Sequence, residues 1–266
     1  MASRRQRQSG CDDRMRGHHM KQMILKITEN IRIAENVWKM YLENPELEEQ
    51  KPGQFINIRL DGQFLRRPIS VCDSEAGKLT IVYKAVGKGT EQMTRLLPGE
   101  ELDVLTGLGN GYDLTKAGEA PLLLGGGVGI PPLYMLARKL REQGKAVTVI
   151  LGFNRQDEVF GMPEFRKIGC GVTVTTADGS CGTKGFVTDA MPEDYSYFYT
   201  CGPEPMLKAV YRKTKTSGQF SFEERMGCGF GACMGCSCKT ITGYKRICRE
   251  GPVLEKEEIL QWVKDR

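Results

Sequence analysis

The 266-residue chain has little histidine, no long apolar run and no strong charge of one sign over most of its length. Its two histidines, His18 and His19, both lie in the first 19 residues, so the rest of the chain offers no imidazole for acid–base catalysis or metal binding. No run of 18 or more apolar residues occurs, which excludes a membrane-spanning helix of the usual kind. We therefore expect a globular protein without a membrane partner.

The formal net charge of +5 is concentrated at the beginning of the chain. Residues 1–19 carry five arginines and two aspartates, so they contribute +3 of that charge. They contain no apolar stretch and are not a secretory signal, which favours a cytoplasmic location. We interpret them as a leader or disordered arm, with a nucleic-acid-binding arm as the alternative. The rest of the chain has too little excess charge to predict a nucleic-acid partner.

Three regions differ in their sequence pattern. Residues 20–113 contain six short β-like runs separated by glycine and proline, a pattern typical of an antiparallel barrel. In residues 114–218, strands alternate with helices, which predicts an α/β domain with a parallel sheet. Residues 219–266 begin with one short strand and continue as a cysteine-dense module. The predicted fold is thus β plus α/β, with a small C-terminal module.

Four cysteines of that module, Cys228, Cys233, Cys236 and Cys248, are spaced C-x4-C-x2-C-x11-C. The first three match the plant-type spacing of a [2Fe–2S] cluster, and glycines between them let the backbone approach the cluster closely. A structural zinc site is the alternative, although paired C-x2-C motifs are more usual there. Cys238 is the competing candidate for the fourth ligand.

A glycine-rich turn follows the apolar run at residues 122–124 and precedes a helical pattern. Gly126, Gly127 and Gly129 would let the backbone approach a pyrophosphate at the start of that helix. The turn departs from G-x-G-x-x-G because Ile130 replaces the last glycine, so a purely structural turn is the alternative. Its position after the first strand of the parallel sheet favours dinucleotide binding.

Two further turns should face the same edge of the sheet, because they also follow strands. Asp178 would accept a hydrogen bond from a ribose 2′-hydroxyl, which favours NAD over NADP, although it could be a simple turn residue. Cys201 and Gly202, before Pro203, suit contact with a nicotinamide, and helix termination alone is the alternative.

In the first region, the Arg66–Ser70 segment reads R-R-P-I-S, which is unusual for an ordinary strand. Arg67 could pair with a phosphate and Ser70 with another polar group. Considered alone, the segment is better explained as an edge strand with solvated arginines.

Together, R-x-x-S, the G-x-x-P turn and the C-G-P turn resemble the ferredoxin–NADP⁺ reductase superfamily. The segments RRPISV, GKGT, LDVLTGLGNGY, LLLGGGVGIPPL, TADGS, CGPEPMLKA and ERMGCGFGACMGC more specifically resemble electron-transfer subunits of B-type, NAD-linked dihydroorotate dehydrogenase. This resemblance extends over residues 20–252.

The resemblance implies a site for each of three groups and no catalytic side chain. The FAD site would comprise Arg67, Pro68, Ile69, Ser70, Val82, Tyr83, Lys84, Gly89 and Thr90. The NAD site would comprise Gly126, Gly127, Gly129, Asp178, Cys201 and Gly202. The cluster ligands would be Cys228, Cys233, Cys236 and Cys248. Lys84 stands where an arginine is expected, so it keeps the charge but lacks the planar guanidinium.

The implied function is an electron relay. An FMN-containing partner subunit would oxidise dihydroorotate for pyrimidine biosynthesis, and its electrons would pass through the cluster and FAD to NAD⁺. The expected assembly is a heterotetramer of two plus two chains. The alternative is a flavin and [2Fe–2S] subunit of an NADP⁺–ferredoxin transhydrogenase or a sulfhydrogenase. A non-enzymatic cluster sensor or zinc-bound interaction module is a third, more distant, interpretation.

Overall fold

The computed structural model describes residues 20–259, which form a barrel, a seven-stranded sheet and a cysteine-rich segment. The leader predicted at residues 1–19 lies outside these residues. Within residues 20–259, no helix has the length and apolarity needed to cross a membrane.

The barrel consists of six antiparallel strands that close in the order β1-β2-β5-β4-β3-β6. Its strands are β1 Lys21–Ala34, β2 Val37–Glu43, β3 Phe55–Ile58, β4 Arg67–Glu75, β5 Lys78–Lys84 and β6 Glu101–Leu108. Alternation decides which side chains enter the barrel: in β1, Leu25 and Ile27 are fully buried, whereas Lys26 between them is exposed. One short helix, α1 (Lys88–Met93), lies between β5 and β6. The predicted barrel is confirmed.

The second unit is a sheet in the order β10-β9-β8-β7-β11-β12-β15, parallel except for its last strand. Its strands are β7 Leu122–Gly126, β8 Thr148–Phe153, β9 Gly171–Thr176, β10 Thr183–Lys184, β11 Phe198–Cys201, β12 Gly218–Ser221 and β15 Val253–Glu255. Its helices are α2 Pro131–Glu142, α3 Met162–Lys167 and α4 Glu204–Lys213. Central β7 is buried along its whole length, as expected for a parallel strand covered on both faces.

The cysteine-rich segment is an excursion between two neighbouring strands of this sheet. β12 continues the parallel sheet, and β15 returns antiparallel to it, with Phe220 opposite Leu254. Between them lies a hairpin of β13 (Ser237–Thr240) and β14 (Gly243–Arg246). The predicted domain boundary between residues 218 and 219 therefore falls inside β12.

Helix α2 joins the two units by packing on β4. The guanidinium of Arg138 donates to the Asp73 carboxylate at 2.8 Å and to the Ser74 carbonyl at 3.1 Å. Met135 of the same helix is completely buried against the barrel core. These contacts hold the barrel against the helix that directly follows the glycine-rich turn.

Candidate functional site

The turns that follow β7 and β11 touch each other at the carboxyl edge of the sheet. A Cβ atom at Gly129 would lie 2.4 Å from the carbonyl oxygen of Cys201 and 2.5 Å from the amide nitrogen of Gly202. A Cβ atom at Gly202 would in turn lie 3.2 Å from the nitrogen of Gly126. Only glycine permits this approach, so the structure brings together most of the residues predicted for the NAD site.

A cavity of about 620 Å³ opens beside these turns. This volume is in the range of small-molecule and cofactor sites. Gly126, Gly127 and Gly129 line it, whereas Asp178, Cys201 and Gly202 do not. The other lining residues are Lys84, Val128, Gly152, Phe153, Asn154, Glu158, Thr175, Gly185, Phe186, Val187, Thr188, Pro203, Pro205, Met206, Ala209 and Glu223.

Asp178 follows β9 and organises its own turn. Its carboxylate accepts hydrogen bonds from the Ser180 hydroxyl at 2.6 Å and the Ser180 amide at 2.9 Å. These two hydrogen bonds hold the pKa of Asp178 below its usual value. The same hydroxyl accepts from the Gln156 amide at 2.8 Å, which ties together the turns after β8 and β9. The contacts that Asp178 makes in this structure are those of a turn residue, which is the alternative interpretation given above.

Cys201 is buried behind the turns rather than presented to the cavity. Burial, reinforced by the nearby carboxylate of Glu223, raises the pKa of its thiol well above the usual value. Glu223 itself lines the cavity. Its side chain is exposed to solvent, but the part that is buried raises the pKa of its carboxyl. Glu223 belongs to no motif of the sequence; its position just after β12, at the same edge as the other turns, was the one signal that could have indicated it.

On the barrel, Arg67 and Gly89 are in direct contact. A Cβ atom at Gly89 would lie 2.2 Å from Nε of Arg67, so the guanidinium lies over the start of α1. That guanidinium donates to the Gln63 side chain at 2.6 Å and to the Leu65 carbonyl. The Thr90 hydroxyl accepts from the amides of Val86 at 3.0 Å and Gly87 at 3.2 Å. A planar cation beside open backbone fits the pyrophosphate of a dinucleotide.

Arg66 has a different role from Arg67. It donates to the carboxylate and the carbonyl of Asp103, both at 2.9 Å, and so braces the barrel wall. Pro68, Ile69 and Ser70 continue along β4 as half-buried residues paired with β3.

Strand alternation separates the three residues predicted on β5. Tyr83 points into the barrel, where its hydroxyl donates to the Asn30 side chain at 3.0 Å. Val82 and Lys84 face the other way, and Lys84 forms an ion pair with Glu158 at 3.2 Å. This ion pair connects the barrel to the loop after β8, and both of its residues line the cavity. Tyr83 can therefore contribute to a flavin site only through its backbone.

The four spaced cysteines form two pairs. The Cys228 sulfur accepts from the amides of Ala232 at 3.2 Å and Cys233 at 3.4 Å. The Cys236 sulfur accepts from the Cys248 amide at 3.4 Å. Cys238 lies half-buried on β13 opposite Lys245 instead.

The two cysteine pairs differ in the pKa of their thiols. Burial alone would raise the pKa of Cys228, but the surrounding backbone amides, with the Cys233 side chain, outweigh it and lower that pKa to about 6. Burial, together with the neighbouring Cys236 sulfur, raises the pKa of Cys248 to about 12.

The donor set fits two metal ions better than one. Among residues 20–259, no three His, Cys, Asp or Glu side chains converge on one point where a metal ion could bind. A tetrahedral zinc site requires four such ligands around a single ion. Two thiol pairs held by backbone amides instead suit a [2Fe–2S] cluster, in which each iron takes two cysteines.

Two family models match the chain. Residues 223–260 match the iron–sulfur cluster binding domain of dihydroorotate dehydrogenase B. Residues 123–212 match the oxidoreductase NAD-binding domain. The matched segments contain the two cysteine pairs and the glycine-rich turn, respectively.

Curated relatives match nearly the whole chain. A protein of Fusobacterium nucleatum is 45% identical over 245 residues, covering 85% of this chain and 94% of its own length. A protein of a Geobacillus species is 41% identical over 256 residues, covering 91% and 99%. Both are named dihydroorotate dehydrogenase B (NAD⁺), electron transfer subunit.

A solved structure, that of an NADH-dependent reduced ferredoxin–NADP oxidoreductase, is also similar. It superimposes with a TM-score of 0.81 at 33% identity and covers 90% of each chain.

Proposed function

Since the chain belongs to the family of dihydroorotate dehydrogenase B (NAD⁺) electron transfer subunits, we propose that it carries electrons from a dihydroorotate-oxidising partner subunit to NAD⁺. The observation that supports this most strongly is that one chain carries both the paired cysteines and the cavity beside the glycine-rich turn, which is called the nucleotide crevice below. It makes the chain an oxidoreductase subunit that works with FAD, a [2Fe–2S] cluster and NAD.

Those three groups supply the redox chemistry when bound, since a flavin can exchange single electrons with a cluster and hydride with a nicotinamide. The chain's own residues bind and orient them. We propose that Arg67, Gly89 and Thr90 hold the FAD pyrophosphate and that residues 68–70, 82 and 84 flank the flavin. Backbone amides at Cys228 keep that thiol ionised and ready to bind iron.

In the nucleotide crevice, we propose that Gly126, Gly127 and Gly129 receive the NAD pyrophosphate and that Cys201 and Gly202 shape the nicotinamide end from behind. Asp178 is proposed to favour NAD by repelling a 2′-phosphate while its turn remains tied to Ser180. Lys84 and Glu158 line the crevice wall as a pair of opposite charge.

The partner is proposed to be an FMN-containing catalytic subunit in a cytoplasmic assembly of two plus two chains. Its docking face on this chain is proposed to be the rim of the cysteine loop, which comprises residues 228–236. Two apolar side chains are exposed there, Phe230 at 41% and Met234 at 55%. Exposed apolar residues beside the cluster would exclude water between the two subunits.

The similarity to the ferredoxin–NADP oxidoreductase structure is the reason to consider a ferredoxin-linked subunit as a second function. At 33%, its identity is lower than the 38–45% of curated dihydroorotate dehydrogenase B relatives. The two functions differ in the electron donor, because a ferredoxin-linked subunit should not accept electrons from a dihydroorotate-oxidising partner.

The test is the activity of the purified, FMN-free chain. It should show flavin and cluster absorption, and reduce ferricyanide with NADH but much less well with NADPH. It should not oxidise dihydroorotate. Dihydroorotate oxidation by the isolated chain, or a firm preference for NADPH, would contradict the proposal.

A further inference from the structure

Asn57 is a buried amide on β3, in the wall of the barrel nearest the cysteine loop. Its side chain is 1% exposed. On the backbone it pairs with Pro68 of β4, and its carbonyl accepts from the Arg66 guanidinium at 3.3 Å. Asn57 is thereby fixed to the strand that begins with the R-x-x-S motif.

The side chain of Asn57 reaches the cysteine loop. Its Nδ2 donates to the carbonyl oxygen of Cys228 at 3.2 Å. A Cβ atom at Gly229 would lie 2.4 Å from the same Nδ2, and the backbone there has a φ of +81°. The loop can therefore close onto the amide only because residue 229 is glycine.

Barrel stability does not account for an amide at this position. Within the described residues, Oδ1 of Asn57 is buried and accepts no hydrogen bond. A buried unpaired acceptor is destabilising, and a leucine, whose side chain branches at the same atom, would not have that cost. The contact that the amide adds is the one to Cys228.

We propose that Asn57 is a positioning residue that fixes Cys228, and with it the [2Fe–2S] cluster, at a set distance from the flavin-binding strand β4. This inference rests on the proposed function, in which electrons pass between cluster and flavin. Electron transfer between two centres weakens steeply as they separate. Asn57 joins the strand of the flavin site to Cys228, a ligand of the cluster. It therefore affects the rate of electron transfer between the cluster and the flavin.

The test compares Asn57→Leu with Gln54→Leu in the full chain carrying both cofactors. Gln54 is an equally buried amide three residues earlier, but it bonds the Lys51 amide and the Gly109 carbonyl and does not touch the cysteine loop. Three quantities are measured: iron release to a chelator, the midpoint of urea unfolding, and the rate of cluster reduction relative to flavin reduction after mixing with NADH.

In Asn57→Leu, iron release should be about tenfold faster, because partners that orient metal ligands change metal affinity by that order. The ratio of cluster to flavin reduction rates should fall about tenfold as the cluster loses its fixed position. Gln54→Leu loses two satisfied hydrogen bonds, so it should lower the unfolding midpoint more and yet leave both cluster readouts as in the wild type.

Wild-type iron release and reduction ratio in Asn57→Leu would overturn the inference, and so would equal changes in Gln54→Leu. If Asn57→Leu does not fold, Asn57→Ser is judged by the same criteria. A wild-type chain that binds no iron contradicts the proposed function itself, and the inference with it.

Discussion

Replacing Gly129 with alanine would put a methyl group 2.4 Å from the Cys201 carbonyl oxygen, and all three nearest atoms belong to the backbone of Cys201 and Gly202. The turns after β7 and β11 would have to separate by about 1 Å to relieve the clash. A displacement of this size at a substrate site can cost about 100-fold in rate. We expect kcat/KM for NADH in the ferricyanide assay to fall by about that factor, and the free energy of unfolding by about 1–3 kcal/mol.

Gly171→Ala is the matched control. A Cβ atom there would lie 3.8 Å from its nearest neighbour, Thr148 Oγ1, which is an ordinary contact. This variant should retain wild-type kcat/KM. If Gly129→Ala and Gly171→Ala behaved alike towards NADH, the contact between the two turns would not form the nucleotide site.

Three further predictions concern the other two sites. Cys248→Ser should abolish the visible absorption of the cluster while Cys238→Ser retains it; retention in Cys248→Ser and loss in Cys238→Ser would reverse the ligand assignment. In protein stripped of iron, iodoacetamide should label Cys228 faster than Cys248 at pH 7, because their pKa values are about 6 and about 12. The Cys228 rate should decline as the pH falls through about 6, since the thiol form then replaces the thiolate, and a rate that is flat between pH 5 and 8 would refute this. Arg67→Leu should weaken FAD binding by about 10- to 100-fold in a flavin titration, since it removes charge-assisted hydrogen bonds. Arg67→Lys should be intermediate because it keeps the charge without the planar guanidinium, and unchanged affinity in Arg67→Leu would place the pyrophosphate elsewhere.

Elements with a strong local pattern could be predicted from the sequence. The three leucines at residues 122–124, the glycines after them and the helix that follows appear in order as β7, the turn and α2. Strands β10 and β15 are only two and three residues long, too short for any periodicity to reveal them. The position of β15 also depends on a partner strand more than 30 residues away, which local patterns cannot identify.

The functional site also has parts that the local sequence predicts and parts that it does not. Cysteine spacing indicated the cluster segment because its ligands lie close together in the chain. Asn57 could not be predicted, because it is a single polar residue whose role depends on which way β3 faces. For Glu223, the position just after β12 was the one available signal, since no local motif marks it as a cavity residue. The resemblance implies that Val82, Tyr83 and Lys84 all contact the flavin. Because side chains alternate along β5, the side chain of Tyr83 instead points into the barrel.

The central claim, that this chain links dihydroorotate oxidation to NAD⁺, is tested most directly by adding dihydroorotate and then NAD⁺ to the chain, with and without its FMN-containing partner, under anaerobic conditions. We predict that the cluster absorption bleaches and NADH forms only when both subunits are present. Bleaching by dihydroorotate without the partner, or a complete complex that oxidises dihydroorotate but forms no NADH, would contradict the account.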